Sequence, residues 1–138
     1  MTITSMARRN EDRTQRNERD ARHRQAAAYN ARLRSFREIW TTEAVLVEVG
    51  NALSKTNRDA AVDFIGRCYQ TPAIHVVTVN TELLGRAVWF YEAHDDKTWG
   101  LTDCISFVVM HDRGLTDALT ADHHFRQAGF RPLLLDDA

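Results

Sequence analysis

The sequence predicts an α/β domain built on a parallel sheet, and two observations carry that reading. Strand-like and helical runs alternate along the chain, which is the pattern of strand-helix-strand units joined by right-handed crossovers. The clearest strand, Ile74-His75-Val76-Val77-Thr78-Val79, is nearly all β-branched, so it suits a strand buried on both faces rather than one that alternates between core and solvent. A chain of 138 residues suits one domain with a real core, and 43% hydrophobic with 27% charged residues is ordinary for a soluble globular protein. Neither repeats nor an internal linker suggest a second domain.

Taken in order, Thr2 to Ala7 has fair β-propensity but few large apolar residues, and would make a poor buried strand. Arg8 to Asp20 contains no large apolar side chain, so it should be exposed helix or disordered. An amphipathic helix is expected from about Arg19 to Ile39, with Ala26, Tyr29, Leu33 and Phe36 on one side. Trp40 to Thr42 reads as a short strand, and Thr41 or Thr42 caps a helix that begins at Glu43 with Val45, Val49, Ala52 and Leu53 as its apolar stripe. Asp59 to Gln70 forms the next helix, which Pro72 ends. After the strand at 74–79, Asn80 caps a helix through Leu83, Leu84, Ala87, Val88 and Tyr91 that fades at His94. Trp89 and Trp99 read as core or rim packing, and His75 as an edge or packed histidine.

The most informative stretch is GLTDCISFVVMHDRGLTDALTADHHFRQAGF, residues 100–130. Thr102 is a good N-cap for an apolar helix that ends at Arg113-Gly114, which places Asp103 in the first turn. Asp117 to Ala121 reads as a short interior strand, followed by Asp122 where a helical turn, His123 to Gln127, begins. In open parallel sheets ligands bind beyond the carboxyl ends of the strands, so Asp122 lies where such a fold places chemistry. Arg131 to Leu135 suggests a last edge strand, where proline is tolerated.

Each acid also has a plain structural reading. Aspartate is common at helix N-termini because it accepts orphan amide hydrogen bonds, so Asp103 or Asp122 alone reads as a cap. Glu48, however, lies on the apolar stripe of its helix, and an inward carboxylate is costly unless it is paired or binds a cation. Its structural partner would be an arginine such as Arg58 or Arg86. Glu43 reads as a first-turn capping residue, and Asp95 and Asp96 as solvated acids that could assist a cation.

Composition excludes several classes. The net charge of −1 exerts no overall pull towards nucleic acid, although residues 1–24 carry seven arginines against four acids, or +3, which leaves −4 for the remainder. Cys68 and Cys104 lack paired spacing and suggest reduced thiols. No apolar run approaches a membrane span and no signal core follows the early arginines, so the expected location is the cytoplasm. There is no G-x-G-x-x-G, phosphate loop, G-x-S-x-G or H-E-x-x-H. His123 and His124 are adjacent, which is poor spacing for a zinc site. Carboxylates without a nucleophile suit Mg²⁺ or Mn²⁺, hard ions that activate water and neutralise charge on a phosphodiester.

At Glu48 in TTEAVLVEVGNAL, Asp103 in LTDCISFVVM and Asp122 in ALTADHHFRQAGF the chain resembles the PIN-domain ribonucleases, in particular the VapC-type toxins of toxin-antitoxin pairs. These residues match the second, third and fourth acidic positions of the family, and Thr120, Asp122, Phe125, Gly129 and Phe130 follow its closing motif. The resemblance covers roughly Asp20 to Leu134. It implies a PIN-like three-layer α/β/α fold with a central parallel sheet, over residues 20–138, preceded by an atypical, poorly ordered segment at 1–19. It also implies Mg²⁺- or Mn²⁺-dependent cleavage of RNA with Glu48, Asp103 and Asp122 as metal ligands, a homodimer, and a cognate antitoxin as partner.

The chain departs from the family at its start. The family opens with an apolar strand ending in aspartate, and the equivalent position here falls near Arg8 with no acid to fill it. Without that central strand its neighbours would stand about 10 Å apart, twice the usual strand spacing, and Thr2 to Ala7 is the segment available to fill the gap. Arginine there would oppose metal binding. A catalytically inactive PIN remnant that binds an antitoxin or RNA is the alternative reading. A receiver-like phosphoryl-transfer domain is a third, opposed by the absence of any lysine after Lys97.

Overall fold

A computed structural model describes residues 6–9 and 36–136. Most of the expected basic arm and of the expected helix at 19–39 lies outside the described residues, but Arg8 and Arg9, expected in exposed helix or disorder, are strand. Five strands form one sheet in the order β3-β2-β1-β4-β5, where β1 is Met6–Arg9, β2 Phe36–Thr42, β3 Ile74–Val77, β4 Asp117–Ala118 and β5 Arg131–Pro132. The flanking pairs are parallel, with Thr42 opposite Val77 and Ala118 opposite Pro132. Together with the helices described below, this is the expected α/β architecture.

The central strand differs from the expected sheet. Met6–Arg9 sits between β2 and β4 and runs antiparallel to both, with Met6 opposite Trp40 on one side and Ala118 on the other. The gap is therefore filled, by a segment slightly later than Thr2 to Ala7 and in the opposite direction. A strand of either direction offers amide and carbonyl groups to both neighbours, which is what two otherwise unpaired edges need.

Successive residues of each strand face opposite sides, and the core divides accordingly. Ile39, Leu119 and Leu133 form one buried cluster with Ile74 against it. On the other face Trp40 and Val77 pack against a larger cluster that includes Ala118, Leu83, Ala87 and most of the apolar helix from Leu101. Its centre is Phe107, whose ring lies 4.8 Å from Phe125, 5.1 Å from Trp99 and 5.6 Å from Phe130.

The helices are α1 (Glu43–Leu53), α2 (Arg58–Gln70), α3 (Thr81–Ala93), α4 (Leu101–Arg113), α5 (His123–Gln127) and α6 (Leu133–Asp136). Thr42 and Asn80 cap α1 and α3 as expected, accepting from Val45 N at 3.3 Å and Leu83 N at 2.8 Å. Gly114 ends α4 in the left-handed conformation, φ 64°, which glycine adopts without Cβ strain.

Several expected boundaries shift. Residues 36–39 are strand rather than helix, because pairing with β1 and β3 outweighs the local helical spacing. Strand β3 stops at Val77, two residues early, because Val79 N donates to Glu43 Oε1 instead of continuing a ladder. Strand β4 ends at Ala118, and only Arg131–Pro132 of the last expected strand pairs, with Leu133 onward turning helical. On α3 the buried residues are Leu83 and Ala87, while Leu84, Val88 and Tyr91 are exposed, as is Trp89 at 70%. Trp99 is buried and His75 stacks on Trp40 at the sheet edge, both as expected.

Candidate metal centre

Three elements carry one sequence-predicted acid each. Glu48 lies in the second turn of α1, Asp103 in the first turn of α4, and Asp122 in the turn that leaves β4 and starts α5. Thr120 Oγ1 accepts from Asp122 N at 3.1 Å and so fixes the exit from the strand. Asp122 in turn caps α5, its Oδ1 accepting from His124 N at 2.9 Å. The helix-capping reading of Asp122 is thus correct, and the same side chain retains acceptor capacity for a second partner.

Asp103 also has a capping contact. Helix α4 begins at Leu101, so Gly100 rather than Thr102 is the N-cap, and Asp103 Oδ2 accepts from Gly100 N at 3.2 Å. Thr102, released from capping, instead acts on Glu48, where its side chain lowers the carboxyl pKa. The arginines that could have neutralised Glu48 are engaged elsewhere. Arg86 forms a bidentate pair with Asp112 at 2.6 and 2.8 Å, and Arg58 Nε donates to Ser54 O.

Glu48 and Asp103 each feel the charge of a neighbouring acid. Burial raises the Glu48 pKa first, the Asp103 charge adds to it, and Asp122 raises it further, against the Thr102 hydrogen bond. Burial likewise raises Asp103, with the Gly100 N–H opposing, the Asp122 charge acting in the same direction as burial, and His124 opposing through its hydrogen bond and charge. Glu48 and Asp103, pushed upward by burial and by a neighbouring acid, carry a cost that a divalent cation would relieve. The donor set of this site therefore fits such an ion. Asp95 and Asp96 take no part in this arrangement; both are exposed, and Asp96 pairs with Lys97 at 3.1 Å.

His124 is the residue that sequence reasoning missed. Its Nδ1 lies 3.4 Å from Asp103 Oδ2 and 3.3 Å from Asp122 Oδ1, so one imidazole nitrogen faces both acids. Thr98 Oγ1 lies 3.1 Å from its Nε2. Asp122, His123 and His124 together place one potential ligand atom each within 4.8 Å of one another. The signal in the sequence was an aspartate and a histidine two residues apart within one tight turn, rather than the adjacency of two histidines.

Comparison with known proteins identifies the family. The profile of the PIN domain family matches residues 14–131. Among solved structures, Mycobacterium tuberculosis VapC20, a toxin that cleaves the sarcin-ricin loop, matches with a TM-score of 0.70 and 26% identity, over 85% of this chain and 88% of that one. No curated protein sequence matches the chain significantly. With the family profile spanning most of its length and its fold shared with a VapC toxin, the chain belongs to the PIN-domain family and is VapC-like within it.

Proposed function

We propose that the protein is a metal-dependent endoribonuclease of the toxin-antitoxin type, hydrolysing RNA phosphodiester bonds at Glu48, Asp103 and Asp122. The observation that carries this reading is that three separate elements bring acids close enough for Asp103 and Asp122 to raise the Glu48 pKa and for Asp122 to raise that of Asp103. A bound Mg²⁺ or Mn²⁺ ion supplies a water of lowered pKa and neutralises charge on the phosphodiester. Asp103 and Asp122 would hold the ion. Glu48, oriented by the Thr102 hydroxyl, would hold it directly or through water. The same reading assigns RNA as substrate, a cognate antitoxin as protein partner, and a homodimer working in the cytoplasm.

The test is cleavage of an RNA panel that includes a sarcin-ricin loop hairpin, since the VapC20 toxin cuts that loop. Cleavage with Mg²⁺ or Mn²⁺ should be abolished by chelation and reduced on the order of 100-fold or more by Asp103→Asn or Asp122→Asn. Cleavage indifferent to both manipulations would overturn the reading.

One observation favours the alternative of an inactive binding protein. The central strand β1, Met6-Ala7-Arg8-Arg9, contains no carboxylate. On that reading the chain retains RNA or an antitoxin without turnover, and Asp103→Asn binds RNA in a gel-shift titration as well as the native chain does. Sedimentation equilibrium tests the homodimer independently.

A further inference from the structure

The site reads with one carboxylate fewer than the family pattern, yet its inner face is not made of oxygen alone. His124 is 17% exposed, beside Asp103 at 19% and Asp122 at 18%, so its imidazole is as sheltered as the two carboxylates. His123, in contrast, is 67% exposed. The His124 backbone is pinned by Asp122 Oδ1, and Thr98 Oγ1 stands at its Nε2. In one tautomer Nδ1–H donates to Asp103 Oδ2 at 3.4 Å; in the other, with Nε2–H donated to Thr98 Oγ1, the Nδ1 lone pair is open to a cation. Adjacent ligands on an octahedral ion with bonds near 2.1 Å stand about 3 Å apart. The Nδ1 distance of 3.3 Å to Asp122 Oδ1 is close to that spacing, and Asp122, His123 and His124 each bring a ligand atom within 4.8 Å of the others.

We propose that His124 Nδ1 is a direct metal ligand, and that this nitrogen shifts the site's preference from Mg²⁺ towards transition ions such as Mn²⁺ and Co²⁺. Imidazole nitrogen suits first-row transition ions, whereas Mg²⁺ favours oxygen and keeps its waters. Thr98 is the positioning residue, since a ligating histidine is commonly oriented through its second ring nitrogen. The inference rests on the proposed metal site and adds to it a ligand and an ion preference.

The native chain should bind Mn²⁺ and Co²⁺ at least tenfold more tightly than Mg²⁺ in calorimetric titration. Pulsed electron paramagnetic resonance of the Mn²⁺-loaded chain should show coupling to one imidazole nitrogen. His124→Ala should remove that coupling and weaken Co²⁺ binding tenfold or more, while Mg²⁺ affinity changes less than threefold. His124→Asn serves if the alanine variant fails to fold, and the native spectrum needs no variant at all. Mn²⁺ that binds the native chain and is lost in Asp103→Asn, yet shows no nitrogen coupling, would overturn the His124 assignment alone. A native chain that binds neither ion would overturn the metal site and this assignment together.

Discussion

Glu43 Oε1 accepts a hydrogen bond from Val79 N at 2.9 Å, joining the first turn of α1 to the segment that leaves β3. Its second oxygen accepts from Tyr69 OH at 3.2 Å, so one carboxylate ties α1 to both the sheet edge and the end of α2. The helix held in this way is the one that carries Glu48. Glu43→Ala should therefore destabilise the fold by about 1–3 kcal/mol, the range for removing a charged acceptor from partly buried donors. Urea unfolding checks this, and Glu43→Gln, which keeps an acceptor for Val79 N, should lose less.

Asp103→Asn should separate function from stability. The amide keeps an oxygen for Gly100 N while removing the charge that burial and Asp122 oppose. In metal-free protein the variant should be more stable than the native chain by about 1 kcal/mol, as is common when a strained functional group is neutralised. Its response to divalent ions in a thermal melt should fall away at the same time.

The raised pKa values of Asp103 and Glu48 set the pH dependence of the metal-free fold. A carboxyl whose folded pKa lies above its unfolded value binds more protons when folded, so its cost is absent at low pH and develops as pH rises through the folded pKa. These two groups should thus lower stability as pH climbs out of the ordinary carboxylate range. Asp112 acts oppositely, since the Arg86 hydrogen bond lowers its pKa and its stabilisation is lost only as pH falls through that lowered value. Denaturant melts across pH with and without saturating Mn²⁺ should show the first effect shrink when the ion is present, because the ion binds the ionised carboxylates of the folded chain.

Phe107 meets the rings of Phe125, Trp99 and Phe130 from the middle of α4 and is fully buried. Phe107→Ala should cost about 3–5 kcal/mol through lost transfer energy and the cavity it leaves. Calorimetry should show a correspondingly lowered melting temperature.

Burial, aided by the Asp103 charge, pushes the Cys104 thiol up to about 11. Cys68 is also buried and raised. Neither should react with a thiol reagent at pH 8 in the native state, because thiolate rather than thiol is the nucleophile and access is closed. Both should react on unfolding.

The chain's local chemistry was enough to identify α4 as an apolar helix with Asp103 in its first turn, Asp122 as the residue between strand and helix, and the caps at Thr42 and Asn80. Those features depend on periodicity and on hydrogen bonds spanning three or four residues, which a sequence displays directly. The inward position of Glu48 was legible for the same reason. The direction of the central strand, the approach of Thr102 to Glu48, the reach of Glu43 to Val79 and the entry of His124 beside Asp103 and Asp122 were decided only by the tertiary structure. Each joins residues distant in the chain or depends on how an edge is satisfied by whatever segment reaches it, and local propensity contains no term for either.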